Sequence, residues 1–343
     1  MTDAKMPLSS SAPAVAVPTS VPGLFQRLTR QPSLIAFFLL ILLVAGFALA
    51  TPNHSFATIP VLQLFQTYTP EIALMTMGMS VLLVVGEIDL SISSVYVFSS
   101  VIFASLNHAL GLPLWLCFPV ALGAGLLMGA INGLLVAFTG VSSLIITLGT
   151  MWGFNAVMNL AIGGKSVPLA DANPNGGLQW VLTGQVLGVR MQLVWMVVIA
   201  VLLWLLLHHT RTGNRIFATG SNERAARMMG VSVTWTRVLC FCLLALLAAF
   251  AGVLAVSRTN VAVPQSGQYT MLLALAGAVV GGTKLTGGSG ELFGALCGAF
   301  ILQVLSLGFI QLGLNDYWVT LVTACAIILT AFAYLRIDRR LKR

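Results

Sequence analysis

Charge is what this sequence has least of. Asp, Glu, Lys and Arg make up 8% of its 343 residues, where a soluble globular domain carries roughly 25%. The chain lacks the polar material to cover a water-exposed surface, which excludes a soluble fold and makes lipid its solvent. Cysteine is also sparse. The five present (Cys117, Cys240, Cys242, Cys297, Cys325) all lie inside apolar runs, and none forms a CxxC pair. That pattern excludes a zinc site or a disulfide framework and leaves buried structural thiols. No GxxxxGK[ST] loop is present to hold ATP, and no HExxH, GxSxG or paired-Asp constellation is present to support an intramembrane enzyme. The histidines His54, His108, His208 and His209 stand at the ends of apolar runs without metal-ligand spacing.

What the chain does have is long apolar stretches, with 58% of its residues hydrophobic. A bilayer core about 30 Å thick needs roughly 20 apolar residues per helix, whereas a membrane β-barrel would show short alternating segments. The expected fold is therefore all-α, a polytopic membrane protein of ten spans. They are Ser33–Ala50, Thr69–Gly86, Leu90–Leu106, Leu112–Thr139, Val141–Ile162, Met191–Leu207, Val238–Val256, Tyr269–Gly282, Leu292–Leu312 and Tyr317–Leu335. The stretch Phe56–Tyr68, broken by Pro60, either lies at the interface or lengthens the second span. Residues 1–30, rich in Ser, Ala and Pro, read as a disordered cytoplasmic tail, 31–335 as the transmembrane domain and 336–343 as a basic cytoplasmic tail.

Charge tests this topology independently. With ten spans and the N-terminus inside, Lys5, Arg27 and Arg30, the loop arginines Arg211, Arg215, Arg224, Arg227 and Arg237, Lys284, and the tail residues Arg336, Arg339, Arg340, Lys342 and Arg343 all face the cytoplasm. Only Lys165, Arg190 and Arg258 of the 17 basic residues fall outside. This excess on one side is the positive-inside pattern, and it predicts an inner-membrane protein with both termini cytoplasmic. The basic balance thus reflects topology, with no nucleic-acid partner implied. Span four carries Gly125, Gly129 and Gly133, and span nine carries Gly294 and Gly298 just after Gly290. These small-residue ridges let helices approach closely. Their matching places suggest two five-helix halves inserted in opposite orientations, although glycine ridges also recur in any packed bundle.

The long inner loop reads Gly220-Ser221-Asn222-Glu223-Arg224-Ala225-Ala226-Arg227-Met228-Met229-Gly230. Ser221 or Asn222 can cap a short helix, Glu223 suits its first turn, and Gly230 can end it. Two readings are open on the residues alone: a helix docking in another protein's groove, or a connector laid on lipid headgroups by its arginines. The segment resembles the Glu-Ala-Ala loop of ABC importer permeases of the ribose, xylose, arabinose and autoinducer-2 group. Three further stretches resemble the same group, in the same order along residues 33–335: Gly86-Glu87-Ile88-Asp89-Leu90-Ser91, Leu144-Ile145-Ile146-Thr147-Leu148-Gly149-Thr150, and Gly281-Gly282-Thr283 with Gly287-Gly288-Ser289-Gly290.

The resemblance implies a transport subunit that hydrolyses nothing itself. Its expected partners are a second permease, identical or related, a periplasmic solute-binding protein, and a cytoplasmic ABC ATPase that binds ATP and Mg; this chain itself carries no cofactor or metal. It assigns ATPase coupling to Asn222, Glu223, Ala225, Ala226, Met229 and Gly230. Two departures stand out: Glu87 replaces a glycine common in the group, and the stretch after the seventh span, Gln268-Tyr269-Thr270, lacks the acidic residues often found there. A branched-chain amino-acid permease shares the overall plan. An ion-coupled secondary transporter is disfavoured by the near absence of mid-membrane carboxylates.

Spans three and eight are short and follow polar breaks at matching positions, a sequence pointer to a transporter's binding region. Candidate solute-path residues are Ser91, Ser94, Asn132, Asn155, Gln268 and Thr270. The competing reading is that they satisfy helix ends and interhelical hydrogen bonds. For Asp89, just before span three, capping is the favoured role. For Glu71, one residue past Pro70, a first-turn carboxylate is expected.

Overall fold

The computed structural model describes residues 31–170, 173, 176–267, 269–315, 317–322, 324–325, 328–329 and 332. Among these, eight helices are long and apolar enough to cross a membrane: α1 Pro32–Ala50, α2 Ile59–Val85, α3 Ile92–Leu110, α4 Leu114–Thr139, α5 Ser143–Ile162, α7 Met191–His209, α10 Val233–Thr259 and α12 Leu292–Gln311. Shorter helices are α6 Gly177–Thr183, α8 Arg211–Ser221, α9 Glu223–Met228 and α11 Thr270–Val280, and a 3-10 turn spans Pro52–Ala57. The only strands described are two-residue pairs. β1 Val167–Pro168 meets β4 Val261–Ala262, and β2 Gln185–Val186 meets β3 Val189–Arg190, both antiparallel. The chain is a multi-pass, all-α membrane protein.

Two expected spans need revision. The second begins ten residues early, because Pro60 falls in the first turn of α2, where its missing N–H has no helical partner to lose. The eighth, expected over Tyr269–Gly282, is the 11-residue α11, about 16 Å long at roughly 1.5 Å per residue and so about half a bilayer. Its irregular continuation is buried over residues 281–283, where Thr283 Oγ1 and Ser80 Oγ share a 2.7 Å hydrogen bond; Lys284, Leu285 and Thr286 are then exposed before Gly288 N returns to donate to Val84 O. Non-helical backbone at membrane depth survives only under such cover. Of the tenth expected span the structure describes only part, helical wherever described. The two expected tails, 1–30 and 336–343, lie outside the described residues.

Burial sorts the helices into a centre and a rim. The most apolar window of α2 is 89% buried and that of α10 78%, against 11% for α5 and 17% for α1. The rim turns large side chains such as Trp152 and Leu160 outward, as lipid-facing helices do. The six central helices obey the exchange that two related halves require. α2 packs on α10; α3 packs on α10 as α11 packs on α2; α4 packs on α10 as α12 packs on α2; and α3 meets α4 as α11 meets α12. The rim does not follow this exchange, since α1 lies on α12 whereas α7 lies on α2. Nor do the two glycine ridges meet equivalent neighbours. A Cβ at Gly125, Gly129 or Gly133 would strike Ala249, Ala245 or Val238 of α10, whereas one at Gly294 or Gly298 would strike the backbone of Gly281 or Gly277 at the end of α11.

Candidate functional site

The four stretches singled out in the sequence meet at one end of the bundle. Gly86 ends α2 with φ +92°, a left-handed conformation that glycine adopts freely. The chain then turns along α5: Ile88 N donates to Ser143 Oγ at 3.2 Å and Leu90 N to Thr147 Oγ1 at 3.1 Å. Asp89 Oδ1 accepts from Ser91 N at 2.7 Å, and Asn132 Nδ2 donates to Ser91 Oγ at 2.6 Å. Asp89 is therefore a turn-stabilising carboxylate two residues before Ser91, which is itself the N-cap of α3, so the expected capping role gives way to one that fixes the turn and, through Asn132, ties it to α4. The end of α8 and the 287–288 loop close the junction from the other side. A Cβ at Gly220 would strike Val84 O, and one at Gly287 would meet the Gly86 backbone at 3.1 Å. Close approach of three backbones is what these glycines permit.

α9 projects from this junction. Its cap is Asn222, whose side chain accepts from Ala225 N at 3.1 Å, while Ser221 belongs to the end of α8. The helix stops at Met228, and Gly230 follows at φ +78°. Arg227 Nη2 lies 2.8 Å from Glu223 Oε1, one turn apart. Arg237 of α10 bridges two carboxylates, with Nη2 2.8 Å from Glu223 Oε2 and Nε 2.9 Å from Glu87 Oε1. The second contact is an ion pair by distance, without the alignment of a hydrogen bond. The hydrogen bond from Arg227, aided by the neighbouring Arg237 charge, holds the Glu223 carboxyl below its ordinary range despite partial burial. Glu87, unexplained by the sequence, thus belongs to an ionic bracket joining the α2–α3 turn, α9 and α10. Beside it Gly86, Glu87, Ser142, Ser143 and Arg237 line a cavity of about 300 Å³.

One sequence expectation changes sense here. Ala226, taken as a contact for a partner, is 4% exposed and faces inward. In a helix of 3.6 residues per turn the side chains opposite it point out. Arg224, Ala225, Arg227, Met228 and Met229 are the exposed ones, with Met228 89% and Met229 84% accessible.

The six solute-path candidates are only partly gathered. Ser91, Ser94 and Asn132 are buried inside the subunit, where Ser94 Oγ donates to Met151 O at 2.9 Å and Asn132 Oδ1 has no partner. Asn155 sits half-buried on α5, its backbone oxygen accepting from Asn159 Nδ2. Thr270, the first residue of α11, donates its hydroxyl to Gly267 O at 2.7 Å in the preceding turn. Gln268 lies outside the described residues.

A second ion pair joins the middle of α2 to the far end of α10. Glu71 is not in a first turn, because α2 begins at Ile59; it sits inside the helix, buried. Arg258 Nε lies 3.0 Å from Glu71 Oε1 and Nη2 3.3 Å from Oε2, while Tyr96 Oη donates to Glu71 Oε2 at 3.3 Å. The guanidinium also lies 4.4 Å from the centre of the Tyr68 ring. The available signal for this pairing was two isolated opposite charges assigned to the same side of the membrane.

Comparison with known proteins adds the following. Residues 62–331 match the model of a family described as branched-chain amino acid transport system / permease component. The chain is 33% identical over 302 residues to the ribose import permease protein RbsC of Escherichia coli (strain K12), an alignment covering 88% of this chain and 92% of the relative. It is 30% identical over 305 residues to the D-allose transport system permease protein AlsC of the same strain, covering 88% of this chain and 90% of the relative. It is also 29% identical over 312 residues to the fructose import permease protein FrcC of Rhizobium meliloti, covering 88% and 85%.

Proposed function

The chain belongs to this family of ABC importer permease components, and on that premise we propose that it carries a small sugar or sugar-like solute across the inner membrane, paired with a second permease and driven by a separate ATPase. Sugars are named in the relatives, which favours them over branched-chain amino acids. The observation that carries the coupling half of the reading is the bracket of Arg237 with Glu87 and Glu223. It links the exposed Met228–Met229 tip of α9 to the turn that begins α3. Methionine is unbranched and polarisable, suited to an adaptable docking contact. A push on α9 would be delivered through two charge contacts to the α2–α3 turn, and from there to Ser91 and Asn132.

In this reading both termini are cytoplasmic, ATP and Mg are held by the ATPase, and a periplasmic binding protein delivers the solute. Ser91, Ser94, Asn132, Asn155, Gln268 and Thr270 remain the proposed solute path, and Asn222, Glu223, Ala225, Met229 and Gly230 form the coupling segment around a buried Ala226. An ion-coupled mechanism is disfavoured: among the described residues Glu71 is the one carboxylate inside a spanning helix, and Arg258 holds it. The test is uptake of labelled pentoses, hexoses and leucine by cells with and without this chain, with affinity capture of its ATPase. Sugar uptake that needs both the chain and the captured ATPase supports the reading. Leucine uptake in its place would move it to the amino-acid branch.

A further inference from the structure

Beyond the loop junction, polar chemistry concentrates once more, at the end of α10 that carries Arg258, beside Glu71 of α2. A cavity of about 460 Å³ there is lined by Gln179 of α6, Arg190 of β3, Gln192 of α7, Ser257 and Arg258 of α10, and Trp180. It lies about 27 Å along α2 from the coupling end, counting Thr67 to Val85 at roughly 1.5 Å per residue. Ten buried side-chain atoms of the described residues lack a hydrogen-bond partner, and five of them sit on this wall: Gln179 Oε1, Arg190 Nε, Gln192 Oε1 and Nε2, and Ser257 Oγ. Gln179, Gln192 and Ser257 are each 1% exposed. Buried polar groups are nearly always paired, so such a cluster of exceptions calls for an occupant.

The wall groups are held in place, not adrift. Gln179 Nε2 donates to Ser257 O at 2.7 Å and also to Asn260 Oδ1, which leaves its carbonyl oxygen unused. The main-chain N–H of Arg190 is fixed on Gln66 Oε1 at 2.8 Å. The cavity has room for roughly fifteen waters at about 30 Å³ each. It also falls in the range of about 300–1,000 Å³ typical of small-molecule sites. The unmet groups decide the chemistry of the occupant. Two are carbonyl acceptors, two are N–H donors, and the serine hydroxyl serves as either. An anion would answer the donors and face the carbonyl oxygens unfavourably, whereas a hydroxyl both donates and accepts. Arg258 is paired with Glu71, which leaves Arg190 as the wall's cation without an ion pair among the described residues; the unmet carbonyl oxygens of Gln179 and Gln192 set against it favour a neutral polyol over an anion.

We propose that this cavity is a monosaccharide subsite contained within one permease subunit, at the end opposite the coupling helix. The choice of ligand rests on the sugar-permease reading above; the place and the residues are independent of it. The subsite holds the ring by hydroxyl contacts to Gln179, Gln192 and Ser257, with Trp180 at its rim.

The test uses the full chain in lipid nanodiscs, titrated with D-ribose, D-fructose and inorganic phosphate and followed by tryptophan fluorescence and sugar-induced thermal shift. Gln192→Leu removes two unmet polar atoms, so it should fold at least as stably as the parent without sugar. Ser257→Ala serves as the milder second variant. The expected result is saturable binding of at least one of the two sugars, weakened by at least about tenfold in Gln192→Leu, with no response to phosphate. Absence of saturation with either sugar, a response to phosphate alone, or equal affinity in parent and Gln192→Leu would overturn the subsite. If that happens while the parent importer still takes up sugar, the permease reading stands and only the subsite falls. Saturable, Gln192-dependent binding without any sugar uptake by cells would uphold the subsite and sink the proposed function.

Discussion

Arg237 Nε lies 2.9 Å from Glu87 Oε1, and this contact ties the turn after α2 to the start of α10. Its partners are 22% and 12% exposed, so water screens it little. The same guanidinium reaches Glu223. One side chain thereby fastens the distant α2–α3 turn to α9 and the start of α10, beside the helix end that presents Met228 and Met229.

Replacing Arg237 with Gln should leave Glu87 half-buried and unpaired, a loss of about 2 kcal/mol. Glu87→Gln alone should cost less, and the double variant should recover part of the loss. Thermal unfolding of the four proteins in detergent measures the coupling. Single effects that simply add, to within about 0.3 kcal/mol, would show the bracket to be energetically idle.

The Glu71–Arg258 pair should behave more sharply, because Glu71 is 8% and Arg258 20% exposed. Arg258→Met strands a buried carboxylate, at a cost of about 3–5 kcal/mol. The double change Glu71→Leu with Arg258→Met removes both charges and should restore most of that stability. Thermal denaturation of the variants settles it, and a neutral Arg258→Met would mean that water still reaches the carboxylate.

The two faces of α9 predict opposite phenotypes. Met228→Asp with Met229→Asp should release the ATPase while leaving the permease folded, since both side chains are exposed. Ala226→Arg should instead lower stability, because its side chain is enclosed. Capture of the ATPase, read against the melting temperature, separates the two. Acid should act on the same contact. The depressed Glu223 carboxyl keeps its ion pairs above the ordinary carboxylate range and loses them only as pH falls through its lowered value. ATPase capture should therefore stay flat between about pH 6 and 8 and fail only in acid. A decline already at mildly acid pH would assign the sensitivity to another group.

Much of this protein is legible without coordinates. The scarcity of charge and the length of the apolar runs dictate a helical membrane fold, because lipid offers unpaired backbone no partner. Nine of the ten expected spans coincide with described helices, one of them long enough for only about half a bilayer, and the order Asn222-Glu223-Arg224-Ala225 announces a capped helix that the fold contains. Glycine spacing pointed to close helix contacts and found them, but said nothing of the partner: α10 for Gly125, Gly129 and Gly133, and α11 for Gly294 and Gly298.

Sequence alone determined the lipid solvent, the helical class and the order of most of the spans, since each follows from local composition and period. Tertiary structure alone decided which charges meet, which face of α9 is free, and where unmet polar atoms collect. Glu87 finds Arg237 across 150 residues and Glu71 finds Arg258 across 187; a local reading places such charges on a side of the membrane but does not say which of them meet. The reason is physical: in a medium of low dielectric a lone charge must be paired, but which partner it takes is set by how the helices pack.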